Sequence, residues 1–216
     1  DYDKLAAKAQ TPIFLAIDKQ VAGIIAIADP IKRDAKQAVH ALQTMGLELY
    51  MVTGDNQKTA QAVAKQIGIK NVFAEVLPQN KAKHVEKLQQ QGKLTGMVGD
   101  GINDAPALAQ AEVGFAIGAG TDVAIESADI TLISNSIQGV INAVKISRAT
   151  MKNIKQNLFG AFIYNSIGIP LAGGILYPFF GILLSPIFAG FAMAASSLTV
   201  VTNANRLRLF KMKGSQ

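Results

Sequence analysis

Apolar and polar positions change period several times along this chain. Two β-rich runs, IFLAI at 13–17 and VAGIIAIA at 21–28, are separated by DKQ and predict a hairpin. Beyond them Ala35, Val39, Leu42 and Met45 recur near helical spacing, and Gly46 is placed to end that helix. LELYMV (47–52) predicts a strand, NQKTAQAVAKQIG a helix ending at Gly68, and NVFAEV (71–76) a strand. PQNKAKHVEKLQQQG predicts a helix opened by a proline; LTGMV, VGFAI (113–117) and ITLI (130–133) predict further strands. Strands alternating with helices through short loops predict a parallel sheet covered on both faces. Ligands of such sheets bind beyond the carboxyl ends of the strands.

From Ser136 the pattern turns helical again, with Ile137, Val140, Ile141 and Val144 on one side and Lys145, Arg148, Lys152 and Lys155 on the other. No strong breaker occurs before Leu158, so this helix is expected to run on without interruption. From Gln156 to Asn205 no side chain is charged. A spanning helix needs roughly 20 apolar residues, so this stretch predicts two spans, Leu158–Leu176 and Pro186–Asn205, joined by YPFFGILLS. Tyr177 suits an interfacial position. Gly160, Gly168, Gly190, Ala194 and Ala195 permit close helix packing. Pro170 removes one hydrogen bond from the first span.

Composition sharpens this division. The net charge is +6 over 216 residues, and much of it flanks the apolar run. Arg206, Arg208, Lys211 and Lys213 follow it, as the basic stripe precedes it. Basic flanks mark the cytoplasmic side, so both ends of this chain are expected in the cytoplasm, next to anionic headgroups. No aromatic-interleaved basic patch suggests nucleic acid. The absence of cysteine excludes a disulfide framework, a thiol nucleophile and a thiolate metal site within the chain. The opening DYDKLAAKAQ has no apolar core and reads as the middle of a longer sequence.

Candidate chemistry gathers at two turns that follow predicted strands. In VGDGINDAPAL, Gly99 and Gly101 allow close backbone approach, and Asp100 and Asp104 are hard oxygen donors suited to Mg²⁺ beside a phosphate. In TGDN, Thr53 and Gly54 offer a hydroxyl and N–H groups to phosphate oxygens. Lys81 opens the helix between them and can bring a point positive charge to the same place. Together they fit phosphoryl transfer.

These residues carry a resemblance. TGDN (53–56), Lys81 in PQNKAK and GDGINDAPAL (99–108) resemble the phosphorylation domain of P-type ATPases, a branch of the haloacid-dehalogenase-like fold. The likeness covers nearly the whole chain. It implies the end of a nucleotide-binding domain over 1–28, the second part of the phosphorylation domain over 29–140 and a connecting cytoplasmic helix over 141–157. Two transmembrane helices over 158–205 and a basic cytoplasmic tail over 206–216 would follow. The fold class implied is α/β with a Rossmann-like parallel sheet. Thr53 and Lys81 would contact the phosphoryl group, Asp100 would bind Mg²⁺ and Asn103 would contact phosphoryl oxygens. Asp104 would support the loop as part of the magnesium site, and Gly54 and Asp55 would order the site and bound ATP.

The apolar segment resembles the heavy-metal subclass. Its polar residues have two readings. Asn and Ser can bond across helices, which suits Ser166, Ser196 and Thr199. Met193 and Ser197 share a helix face, and a thioether suits a soft ion such as Cu(I). YN in one span with MxxSS in the next resembles the copper(I)-exporting subgroup, in which Tyr164, Asn165, Met193 and Ser197 would line the ion path. Silver(I) satisfies the same chemistry. That likeness implies an integral protein of a bacterial inner membrane, with a copper chaperone among its partners.

One departure matters. The family's nucleophilic aspartate lies in DKTGT, which does not occur here, and neither do the actuator domain's TGE or the CPC of an earlier helix. The chain thus resembles the C-terminal third of a pump, its remaining parts being partners, and alone it is expected to lack ATPase activity. Two alternatives are a membrane-anchored phosphatase of the same fold, whose DxD occurs only as DYD at the start, and a non-catalytic membrane fragment.

Overall fold

The structure is a computed structural model that describes residues 4–5, 10–27, 30–118, 122–134, 136–181, 183 and 185–210. The initial DYD, Ala28 and the basic tail positions Lys211 and Lys213 lie outside the described residues. The chain divides into two compact units, Asp1–Ile141 and Asn142–Gln216.

In the first unit, β1 (Thr11–Ile17) and β2 (Gln20–Ile27) form the expected antiparallel hairpin. The loop is two residues rather than the three of DKQ, because Gln20 pairs with Ile17. Asp18 and Lys19 take positive φ, 50° and 65°, the tight primed turn that matches strand twist. The hairpin is apolar on both faces and largely exposed: Ile13, Phe14, Leu15, Ile17, Val21, Ile25 and Ile27 are all more than two-fifths accessible.

The α/β part alternates as its sequence periods require. Helix α1 (Ala35–Thr44) buries Ala35, Ala38, Val39 and Leu42. Gly46 follows it at φ 80°. Strand β3 (Tyr50–Val52) leads to α2 (Gln57–Ile67), which Asn56 caps by accepting the Thr59 N–H and which Gly68 ends in the left-handed conformation. Strand β4 (Asn71–Phe73) pairs in parallel with β3. A 3₁₀ turn over Pro78–Asn80 opens α3 (Lys81–Gln90). Then come β5 (Gly96–Gly99), a 3₁₀ turn over Ile102–Asp104, α4 (Ala105–Gln110), β6 (Val113–Ile117), α5 (Asp122–Glu126) and β7 (Ile130–Leu132). Strands β5, β6 and β7 form a second parallel ladder. Leu108 and Ile141 are the largest fully buried side chains.

Two local expectations change. The paired parts of β3 and β4 are shorter than 47–52 and 71–76. Glu75 turns the chain at φ 56°, which lets the Val76 N–H reach Thr53 O at 3.0 Å. The parallel strands also form two ladders among the described residues, since β3 is not hydrogen-bonded to β5.

Helix α6 (Gln138–Ala172) begins in the first unit and continues unbroken into the second, with Pro170 in its last turn. A short helix α7 (Tyr177–Phe180) follows, then α8 (Pro186–Asn205), which Ser185 caps. Among the described helices, one stretch, Ile187–Leu209, is long and apolar enough to cross a membrane. The first expected span differs in where its helix stops. Its helix ends at Ala172, short of Leu176, and Tyr164, Asn165 and Ser166 interrupt its apolar course.

Candidate functional site

The candidate phosphate residues stand where three parallel strands end. After β3, the Thr53 Oγ1 hydroxyl donates to Asp55 Oδ2 at 2.9 Å and accepts the Asp55 N–H at 3.1 Å. The Thr53 N–H donates to Phe73 O, and Asp55 O accepts the Glu75 N–H. The turn after β3 is thus laced to the end of β4. Gly54 is exposed at its tip, with Val76 O 3.6 Å from where a Cβ would stand.

The segment after Val76 carries Lys81. Its Nζ lies 2.6 Å from Asp104 Oδ1, and both side chains are mostly covered, 19% and 12% exposed. The second oxygen of Asp104 accepts the Asp100 N–H at 3.4 Å. Asp104 can stand so close to β5 because residue 99 is glycine: a Cβ there would lie 2.6 Å from Asp104 Cβ. Asp100 is exposed beyond the end of β5, and Asn103 is exposed on the 3₁₀ turn. The structure therefore joins Lys81, Asp104 and the Asp100 backbone directly, and Thr53 to Asp55. Thr53 is connected to the Lys81 segment through Val76. One helical turn beyond Lys81, His84 packs on the Phe73 ring at 4.5 Å. Burial, then the charge of Lys87, holds its imidazole below the ordinary value of 6.5, so it favours the neutral form.

The membrane-segment candidates, all in the second unit, are not brought together. Met193 is 73% exposed and Tyr164 39%. The Asn165 amide donates to Ala161 O on its own helix at 3.0 Å. Among the described residues no hydrogen bond joins Tyr164 or Asn165 to Met193 or Ser197. The contact between α6 and α8 lies elsewhere. Asn153 Nδ2 donates to Asn203 O at 2.7 Å, and Asn203 Nδ2 to Asn157 Oδ1 at 2.8 Å. Asn157 Nδ2 in turn donates to Asn153 Oδ1 at 3.1 Å. An adjoining cleft of about 500 Å³ is lined by Gln156, Asn157, Thr199, Asn203 and Arg206 among others. The sequence reading missed this cluster. Asn153 and Asn157 at i and i+4, with Asn203 near the end of the other span, were the available signal.

Residues 1–112 match the family described as haloacid dehalogenase-like hydrolase. The chain belongs to that family. It is 62% identical over 201 residues to the probable copper-transporting ATPase PacS of Synechocystis sp., covering 93% of this chain and 27% of that protein. It is 56% identical over 214 residues to the copper-exporting P-type ATPase of Vibrio cholerae, covering 99% of this chain and 23% of that protein. Among solved structures, a zinc-transporting PIB-type ATPase in its E2.Pi state aligns with a TM-score of 0.77 at 36% identity, covering 95% of this chain and 32% of that one. The chain is a homologue of copper-transporting P-type ATPases and spans about a quarter of the length of the curated relatives it matches.

Proposed function

We propose that this chain is the C-terminal part of an ATP-driven copper(I) efflux pump working through an aspartyl-phosphate. Its own share is the loops that hold the phosphoryl group and Mg²⁺, together with two helices of the metal path. The Lys81–Asp104–Asp100 arrangement at the end of β5 carries this reading. A lysine and a covered carboxylate pair there, that carboxylate accepts the Asp100 N–H, and a glycine permits the approach.

The nucleophilic aspartate would come from the preceding part of the pump. Two features support a strand arriving from outside. Strands β3 and β5 each have one edge unpaired among the described strands. Val98, on what would be an inner strand of a single sheet, is 40% exposed. One added strand between the ladders would pair both free edges and flank Val98 from the side now open.

The donors fit Mg²⁺. Asp100 offers an exposed carboxylate and Asp104 a held one. Two carboxylates suit an ion that keeps several waters and shares phosphate oxygens. When bound, Mg²⁺ neutralises charge on the phosphoryl oxygens. Thr53 and Gly54 present a hydroxyl and an N–H to those oxygens. Asn103 adds a carboxamide, Lys81 a fixed positive charge, and Asp55 orients the Thr53 hydroxyl. ATP is the phosphoryl donor in this reading.

Copper(I) is the cargo. The stretch from Gln156 to Asn205 carries no charge, so it holds no carboxylate for a hard divalent ion, whereas the Met193 thioether suits a soft monovalent one. Tyr164, Asn165 and Ser197 complete the set. Thiolates would come from an earlier helix, whose packing would close a path that this chain alone leaves open. Delivery by a copper chaperone, residence in a bacterial inner membrane and cytoplasmic ends for this chain belong to the same reading.

The test uses the complete pump. Copper(I) should stimulate an acid-stable phosphoenzyme formed from ATP. Asp100→Ala should lower it at least about a hundredfold, in line with the loss of a principal electrostatic stabiliser. Met193→Ala should weaken copper stimulation while leaving phosphorylation from inorganic phosphate intact. Stimulation by zinc but not copper would overturn the choice of ion.

A further inference from the structure

The first turn of α6 is seated firmly in the first unit. Gly139 lies against Leu132 of β7, where a Cβ would stand 3.1 Å from Leu132 Cδ1. Val140 and Ile141 are buried, at 4% and 1% exposure. Just before the helix, Ser136 Oγ accepts the Gln138 N–H at 3.1 Å, satisfying one of the free donors of the helix start. The same hydroxyl donates to Asp34 Oδ2 at 2.5 Å.

Asp34 is an unusual partner. It occupies the N-cap position of α1, yet its side chain accepts no N–H of that helix. An aspartate at that position ordinarily caps its own helix. Here the carboxylate is committed to a residue 102 positions away. It places negative charge one hydrogen bond from the start of α6, where the helix dipole favours it. Asp34 also lies four residues after Pro30, just past the hairpin. One short bond thus links the segment leaving the hairpin to the segment entering the long helix.

We infer that Asp34 and Ser136 are positioning residues that clamp the start of α6 to the α/β domain, so that its rearrangement during the phosphorylation cycle is passed along α6 to the apolar helices. This rests on the proposed pump. Transmission requires an element whose position both sites bias. A helix running unbroken from Gln138 to Ala172 is such an element only if its first turn follows the domain. Gly139, Val140 and Ile141 fix that turn by apolar contact, which tolerates sliding. The Asp34–Ser136 bond is directional and fixes its rotation as well. Neither residue belongs to the phosphate loops.

The experiment is a split readout in the complete pump: phosphoenzyme level, ATP hydrolysis, and copper carried into inside-out vesicles. Ser136→Ala and Asp34→Ala should keep the phosphoenzyme within about twofold of wild type. Copper carried per ATP hydrolysed should fall three- to tenfold. Ser136→Thr, which keeps the hydroxyl, should remain near wild type. The exchanged pair, Asp34→Ser with Ser136→Asp, restores the same two groups across the gap and should recover most of the ratio. An unchanged ratio in both alanine variants overturns the inference. So does a loss of phosphoenzyme in proportion to transport that the exchanged pair does not rescue, because the contact is then only structural. A wild-type protein that forms no copper-dependent phosphoenzyme sinks the pump reading itself, and this inference with it.

Discussion

At position 99 a single hydrogen atom decides where an aspartate can stand. Asp104 sits against the β5 backbone only because Gly99 has no side chain. From there its two oxygens divide between Lys81 and the Asp100 N–H. Gly99→Ala would bring a Cβ to 2.6 Å from Asp104 Cβ, a distance that forces something to move. The nearest atoms all belong to the Asp104 side chain, so the aspartate must give way. The expected result is a loss of about 1–3 kcal/mol, the usual range for overpacking, read as a lower denaturant midpoint for the detergent-solubilised chain. Unchanged stability would mean the loop relaxes freely. The sequence announced the glycine and both aspartates. It did not announce that Lys81 pairs with Asp104 directly, because a charge partner 23 residues away depends on where two loops meet.

At the scale of elements, local signals did most of the work. Asn56 and Gly68 bracket α2 through a side-chain cap and a left-handed end, both readable from residue type. The long α6 follows from the lack of a breaker. What escaped was how elements meet. The two apolar helices are joined by asparagines at one end of the charge-free run rather than by the polar residues along it. Asn153, 7% exposed, donates to a backbone carbonyl of α8 and accepts from Asn157. Asn153→Ala would strand both partners. Interhelical polar contacts of this kind average about 0.6 kcal/mol and reach about 1.7, and with two bonds lost the upper part of that range is expected. Unfolding of the chain in mixed detergent micelles measures it. A variant as stable as wild type would reduce the cluster to incidental contact.

For the molecule as a whole, the two parallel ladders define what this chain does by itself. The sequence lacks DKTGT, and β3 and β5 are not paired with one another. The isolated chain should therefore hydrolyse no ATP above background. Turnover abolished by Asp100→Ala in the purified chain would refute this and favour a self-sufficient phosphatase. The copper assignment sits at the same scale. One aligned structure is of a zinc-transporting ATPase while two relatives are named for copper transport or export, so the shared fold by itself does not choose the metal. In the proposed pump that choice falls to side chains of the apolar segment such as Met193.

What the sequence determined by itself was local and chemical: the periods that make strands and helices, the glycines and caps that end them, the phosphate-type loops, and the charge-free run. Each depends on residues within a few positions of one another, so composition and spacing suffice. Tertiary structure decided the pairings across long separations: Lys81 with Asp104, Asn153 with Asn203, Asp34 with Ser136, and the division of the strands into two ladders. A polar side chain can satisfy its hydrogen bonds with many partners. Which one it finds is settled only when the packing of apolar faces has fixed the surfaces that meet.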